Sequence, residues 1–234
     1  MRVDPKAAPV ARRVHKRGQR KKVHYFSPGR IGHLSQLESR LEVGGAAVMG
    51  LDPRVMGMRS QPMCFDLTTG RTYASKEQLR EATSNHLTRP IEYTPDFEVL
   101  LAKGPVLVEV KHSELIAKCP KILQYPSILA RYGHRLVILD EKLLTETLVR
   151  NMRLLTIALK QPVSRELLDT LVGDCANGRT FSDLVARGHP QRAILDGIAR
   201  GILTTDLRSE RLSEASRISV TSGLPNHLME LPLG

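Results

Sequence analysis

The stretch from Tyr93 to Lys111 constrains the fold of this chain more than any other. Two runs of strand-forming residues, Tyr93 to Leu101 and Pro105 to Lys111, flank Lys103-Gly104-Pro105, and a glycine-proline turn between such runs predicts a β-hairpin. Period two then puts Val106, Val108 and Val110 on one face of the second strand and Leu107, Glu109 and Lys111 on the other. Two charges therefore project from one side of a strand otherwise built of aliphatic residues. On the partner strand Thr94-Pro95-Asp96 precedes the alternating Phe97 and Val99, so a carboxylate from each strand is expected at the same end of the hairpin.

The flanking segments predict a sheet with helices around it. Leu34, Leu37, Leu41 and Val48 recur at helical spacing, which predicts an amphipathic helix ending at Leu51-Asp52-Pro53. Gly44-Gly45 weakens such a helix unless another element approaches closely there. Val55 to Leu67 reads as an irregular strand with Pro62 at a bulge or edge, followed by a turn at Thr68-Thr69-Gly70. Beyond the hairpin come a helical stretch from Ser113 to Arg131, broken at Pro120 and Pro126, and a short strand from Leu136 to Leu139. Leu144, Leu148, Met152, Leu155 and Leu159 make an amphipathic stripe that bridges to Gln161-Pro162.

From Val163 the character changes to short helices at Ser164 to Asp174, Thr180 to Arg187 and Gln191 to Arg200. Ile202 to Leu207 can then pair with Arg217 to Val220, and three short helices with a two-stranded wing suggest a winged-helix domain. The expected organisation is a disordered basic arm (1–24), an α/β core (25–140), a linking helix (141–162), a small helical winged-helix-like domain (163–220) and a C-terminal tail (221–234).

Charge is distributed unevenly. Residues 1–24 hold nine Lys/Arg against one acid, Asp4, whereas the remainder holds 26 basic and 23 acidic residues. A leader of this kind, with Arg12, Arg13, Lys16, Arg17, Arg20, Lys21 and Lys22, neutralises phosphates without reading sequence, and nucleic acid is its expected partner over anionic lipid or a purely solubilising role. The 234 residues are enough to bury a core without disulfides. Cys64, Cys119 and Cys175 are odd in number, far apart and outside any C-x-x-C pair, which points to a reducing compartment and away from structural zinc. With no apolar run of about 18 residues and no apolar stretch after the basic N-terminus, neither a membrane span nor a secretory signal is expected. The expected address is the cytoplasm.

Hydrolysing a phosphodiester requires a divalent cation against the scissile phosphate and a water in line with the leaving oxygen. Mg²⁺ takes a few carboxylate oxygens and keeps the rest of its shell for water and phosphate, which Asp96 and Glu109 side by side permit, with the Val110 carbonyl as a further hard ligand. Lys111, on the Glu109 face, can orient the attacking water or stabilise the developing charge. The bland alternative for the same residues is a cross-strand salt bridge.

This combination resembles the restriction-endonuclease-like PD-(D/E)xK nucleases, whose shared core, a mixed sheet flanked by helices, is the fold the resemblance implies for residues 25–140. The match narrows with Ser39-Arg40-Leu41-Glu42, Asp52-Pro53-Arg54-Val55, Gln61-Pro62, Thr94-Pro95-Asp96-Phe97 and Val108-Glu109-Val110-Lys111, which together are similar to TnsA-type transposon endonucleases. The resemblance covers about residues 35 to 140 and, more loosely, 163 to 220, where that family carries a winged-helix-like domain. It implies Glu42 as a helix-borne acid, with Glu38 its rival, Asp96 and Glu109 as metal carboxylates, Lys111 as the cation beside the water, and Gln61 as a supporting residue that fixes the site or touches DNA. It also implies Mg²⁺, with Mn²⁺ as a substitute, and a bacterial, DNA-associated setting.

In the division of labour that the resemblance implies, such a subunit cuts the 5′, non-transferred strands of double-stranded DNA at transposon ends. A TnsB-like DDE recombinase cuts and joins the 3′ strands, and a TnsC-like AAA+ ATPase contacts the C-terminal domain. The balanced charge of residues 163–220 favours protein contact there over base readout. Two other readings stand beside it: a stand-alone nuclease of repair or phage type, and a noncatalytic DNA-bridging assembly factor. His86, His112, His134 and His189 lie at no metal-ligand spacing and read as surface or cap residues. No P-loop is present, and the absence of Trp argues against a base-stacking platform. Met49, Met56, Met58 and Met63 are expected to fill core gaps.

Overall fold

A computed structural model describes residues 11, 24–27, 35–84, 89–159 and 163–234. The protein is α/β, with a mixed four-stranded sheet flanked by helices. In chain order the elements are β1 (His24–Phe26), β2 (Ser35–Leu37), α1 (Arg40–Leu51), β3 (Val55–Ser60), β4 (Cys64–Asp66), β5 (Thr72–Tyr73), α2 (Lys76–Ala82), β6 (Glu92–Tyr93), β7 (Phe97–Leu101) and β8 (Gly104–Val110). They continue with α3 (Ser113–Lys118), a 3₁₀ turn (Pro120–Gln124), α4 (Tyr125–Ala130), β9 (Leu136–Leu139) and α5 (Glu146–Ala158). The remainder is α6 (Arg165–Cys175), β10 (Arg179–Thr180), α7 (Phe181–Ala186), α8 (Gln191–Ala199), β11 (Leu203–Thr204), β12 (Arg217–Val220) and a last 3₁₀ turn (Asn226–Leu228).

The main sheet has the order β3-β7-β8-β9. The predicted hairpin is its centre: β7 and β8 pair antiparallel from Leu101↔Gly104 to Phe97↔Val108, and β9 joins β8 in parallel. Alternation along β8 divides two apolar clusters as the period requires. Val106, Val108 and Val110 enter the larger core with α1 and α5 residues, while Leu107 packs with Phe65, Tyr93, Leu129 and Leu136 on the opposite face. That second face is covered by α4 and by the small sheet β5-β4-β6.

Helix α1 departs from the amphipathic reading. Every residue from Glu42 to Leu51 is buried, because α5 packs along it as well as the sheet, and a helix apolar all round belongs inside. It also starts later than Leu37, which lies in a strand paired with β1. Ser39 caps the helix by accepting from the Glu42 amide at 3.1 Å. The close approach demanded at Gly44-Gly45 is present: a β-carbon on Gly44 would stand 2.9 Å from a Val149 methyl, and one on Gly45 3.2 Å from Val110. The strand expected from Val55 to Leu67 divides at Gln61-Pro62 into β3 and β4, which belong to different sheets. Pro126 sits in the first turn of α4, where its missing N–H is no loss, and so begins that helix where a break was expected.

The stripe on α5 is buried at Leu148, Met152 and Leu155 and lies between α1 and α8, so a single apolar cluster runs from the sheet into residues 163–234. There β10, β12 and β11 form a three-stranded sheet in that order, and β11 pairs antiparallel with β12 as expected. The segment after β12 turns back to the core: Leu228, Leu231 and Leu233 are buried, and Arg54 and Arg135 hold its carbonyls at Leu231 and Leu233, each at 2.8 Å. Met56 is 60% exposed and fills no gap, unlike Met49 and Met58. His189 is buried against Asp174 at 2.7 Å and so is no surface residue. The basic residues Arg12, Arg13, Lys16, Arg17, Arg20, Lys21 and Lys22, together with His86, lie outside the described residues. No helix among the described residues is long and apolar enough to cross a membrane.

Candidate active site

Local sequence brings three elements to one end of the main sheet. Pro95 ends the extended run after β6, so Asp96 falls just before β7, one step short of the ladder. The Asp96 carboxylate then accepts the Val110 amide at 2.8 Å, where β8 outruns its partner. In a strand the N–H and C=O of one residue point the same way, so the Val110 carbonyl faces the Asp96 side too. Glu109, on the other face of β8, is buried among Tyr93 and the second cluster. Its Oε2 accepts the Tyr93 hydroxyl at 3.0 Å, and its Oε1 lies 3.5 Å from Lys111 Nζ.

Glu42 belongs to the same electrostatic neighbourhood. Burial pushes the Glu109 carboxyl above the ordinary carboxylate range, Lys111 and Tyr93 pull against that, and the charge of Glu42 adds to the rise. Tyr93 reports the other side: burial raises its phenol well above the ordinary value, and the charges of Glu109 and Asp96 raise it further. Glu42 itself stands in the first turn of α1, where the helix dipole favours an anion, and its Oε2 accepts the Glu38 amide at 2.9 Å. Glu38 receives the Gln61 side-chain amide at 3.5 Å.

Gln61 is the one non-glycine residue with positive φ (45°) among the described residues, and strain of this kind concentrates at functional sites. Its backbone amide donates to the Asp96 carbonyl at 2.8 Å, so the break between β3 and β4 anchors the segment that carries Asp96. Its Oε1 is buried without a hydrogen-bond partner among the described residues. Tyr93 was missed by sequence reasoning. The available signal was its spacing: an aromatic three residues before Asp96 in an extended run, bound to meet the Glu109 face of the neighbouring strand.

Among the described residues no three His, Cys, Asp or Glu side chains close on a common point as a formed metal set. The donor set nevertheless fits a hard divalent cation. A buried carboxylate whose proton affinity is raised by burial and by a like charge is relieved by a cation, and the Asp96 and Glu109 oxygens with the Val110 carbonyl are the kind of hard donor that Mg²⁺ or Mn²⁺ takes. His112 does not join them. It begins α3, half-exposed, with Nδ1 3.5 Å from Glu141, whose carboxylate also holds the Ser113 amide and hydroxyl.

A scan against protein-family models matches none of them, and a search of curated proteins finds no relative.

Proposed function

We propose that this chain is a metal-dependent DNA endonuclease of the PD-(D/E)xK type, acting as the TnsA-like subunit of a heteromeric transposase that cuts the 5′ strands at element ends. The observation that supports the reading is the surroundings of buried Glu109, with Lys111 Nζ at 3.5 Å and the Tyr93 hydroxyl at 3.0 Å, where the charge of Glu42 acts on Glu109 and that of Asp96 on Tyr93. A mixed sheet flanked by helices is compatible with that nuclease core.

In this reading a bound Mg²⁺ supplies charge stabilisation at the phosphoryl oxygens and acidifies a water. Asp96, Glu109 and the Val110 carbonyl hold it, with Glu42 completing the acidic set. Tyr93 keeps Glu109 in one orientation, and Lys111 aligns the water and offsets the charge that develops on the phosphate. Lys111 beside a buried carboxylate also stays on the Glu109 face, so its ammonium is presented where attack occurs.

For residues 163–220 the winged-helix reading is supported by the order helix, strand, helix, helix, strand, strand and by the arrangement β10-β12-β11. Helix α8, which such a domain would lay in a groove, has Ala193, Ile194, Asp196, Gly197, Ile198 and Ala199 buried and packs on α5. That weighs against base readout by α8; in this reading a TnsC-like AAA+ protein is the partner here and target choice is left to a TnsB-like recombinase.

The test is Mg²⁺-dependent nicking of element-end DNA in the presence of the recombinase, with Asp96→Ala and Lys111→Ala compared at matched melting temperature. Each variant is expected to lose at least about 100-fold in rate. Undiminished 5′ cleavage in either one removes the proposed site, and cleavage of plain duplex without the recombinase replaces the transposase reading with a stand-alone nuclease.

A further inference from the structure

Outside residues 1–24 the chain carries 26 Lys/Arg and 23 Asp/Glu. The 25 residues from Lys111 to Arg135, which connect β8 to β9, contain Lys111, Lys118, Lys121, Arg131 and Arg135 against the single acid Glu114. This one connection is therefore more cationic than residues 25–234 taken together, and the rest of that stretch is slightly acidic. Arg135 is occupied with carbonyls of Pro232, Leu233 and Gly234. Lys118, Lys121 and Arg131 are exposed and make no ion pair with a described residue.

Placement gives that surplus a use. The connection starts at Lys111, the residue after β8 and 3.5 Å from Glu109, so its first turns border the candidate active site. Glu141 fixes its first turn through Ser113, and Ile122 and Leu129 bury themselves beneath it, so the segment is anchored while its cations stay in water. Five residues of helix carry Lys118 about 7.5 Å beyond Ser113, which spans roughly two phosphates at about 3.4 Å of duplex rise each. Leu115 and Leu123, 50% and 57% exposed, flank the lysines, and apolar side chains in such positions pack against sugars or wedge between base steps.

We infer that the start of the β8–β9 connection is a phosphate-gripping surface, with Lys118 and Lys121 as its contacts, that lays a nucleic-acid duplex across the end of β8. The inference rests on the nuclease reading, which selects nucleic acid over an acidic protein as the occupant.

The experiment compares three full-length proteins: wild type, Lys118→Ala/Lys121→Ala, and Arg150→Ala/Arg153→Ala. The last removes two exposed cations of α5 that make no ion pair with a described residue, and so matches the change in net charge. Binding of a labelled duplex is followed by anisotropy over a series of salt concentrations without divalent metal, and Mn²⁺ binding is followed by calorimetry. Each lost phosphate contact lowers the salt slope by about 0.9, so the lysine double variant is expected to lose about 1.8 and the arginine control none. The arm contributes equally to all three. Equal slopes in the two double variants, or a larger loss in the control, overturn the inference. Absence of any saturable Mn²⁺ heat in the wild type strikes the nuclease reading instead, and the slope comparison still decides the surface.

Discussion

Two buried carboxylates show how differently the same burial can be used. Asp52, 1% exposed at the end of α1, faces the Arg54 guanidinium with contacts of 3.0 Å and 2.6 Å, and it also accepts the Arg54 amide at 2.9 Å. Arg54 in turn reaches the Leu231 carbonyl, so the turn braces α1 against the returning C-terminal segment. Glu109, 7% exposed, has one neutral donor, a lysine at 3.5 Å, and a like charge in Glu42 close enough to raise its proton affinity. The first carboxylate is satisfied by the fold. The second is held in place but left electrostatically strained, which is the condition in which a cation or a substrate group binds.

Substitutions around the two acids should therefore separate stability from metal binding. Asp52→Ala breaks the brace and strands a guanidinium that is only a quarter exposed, at a cost of about 3 kcal/mol. For a chain of this size that corresponds to a fall of roughly 6–12 °C in melting temperature, while Mn²⁺ binding by the folded protein should be unaltered. A melting point within about 2 °C of wild type would break the comparison at its structural end. Tyr93→Phe is the intermediate case. The ring keeps its edge contact with Tyr125 at 4.9 Å, but Glu109 loses its hydroxyl donor, which costs about 1.5 kcal/mol. Here metal affinity, measured by Mn²⁺ calorimetry, should weaken by about tenfold or more, as when an outer hydrogen-bond partner of a ligand is removed. Unchanged affinity would make Tyr93 a packing residue alone.

How much of this was legible in the chain depends on how local the cause is. The hairpin follows from Lys103-Gly104-Pro105 and from alternation, both properties of adjacent residues, and so does the shared face of Glu109 and Lys111. The helix at Gly44-Gly45 was legible as a demand for a neighbour, though which neighbour, Val149, is a tertiary fact. Three features had no local signal. The burial of α1 on all sides depends on α5, a hundred residues later. The docking of residues 228–233 depends on Arg54 and Arg135, whose charges look like ordinary surface charge in the sequence. Leu37 lies in a strand because β1 supplies its partner, although its spacing to Leu41 matches a helix.

Glu109→Gln should have the smallest effect on stability and sharpens the comparison most. Because burial raises the Glu109 carboxyl above 4.5, folding favours its protonated form. The folded wild type is therefore most favoured at the acid end and loses stability as pH rises through the raised value, with the full penalty present above it. Glutamine keeps the shape, its carbonyl can accept the Tyr93 hydroxyl, and it carries no charge for Glu42 to oppose. Melting curves in chelator between about pH 4.5 and 8 should show the variant equal to or slightly above wild type at neutral pH, with the gap closing on acidification. Mn²⁺ heat should vanish in the same variant. A loss of several degrees at neutral pH would put Glu109 in the class of Asp52, a carboxylate whose charge the fold needs, and the strain that defines the candidate site would then not exist.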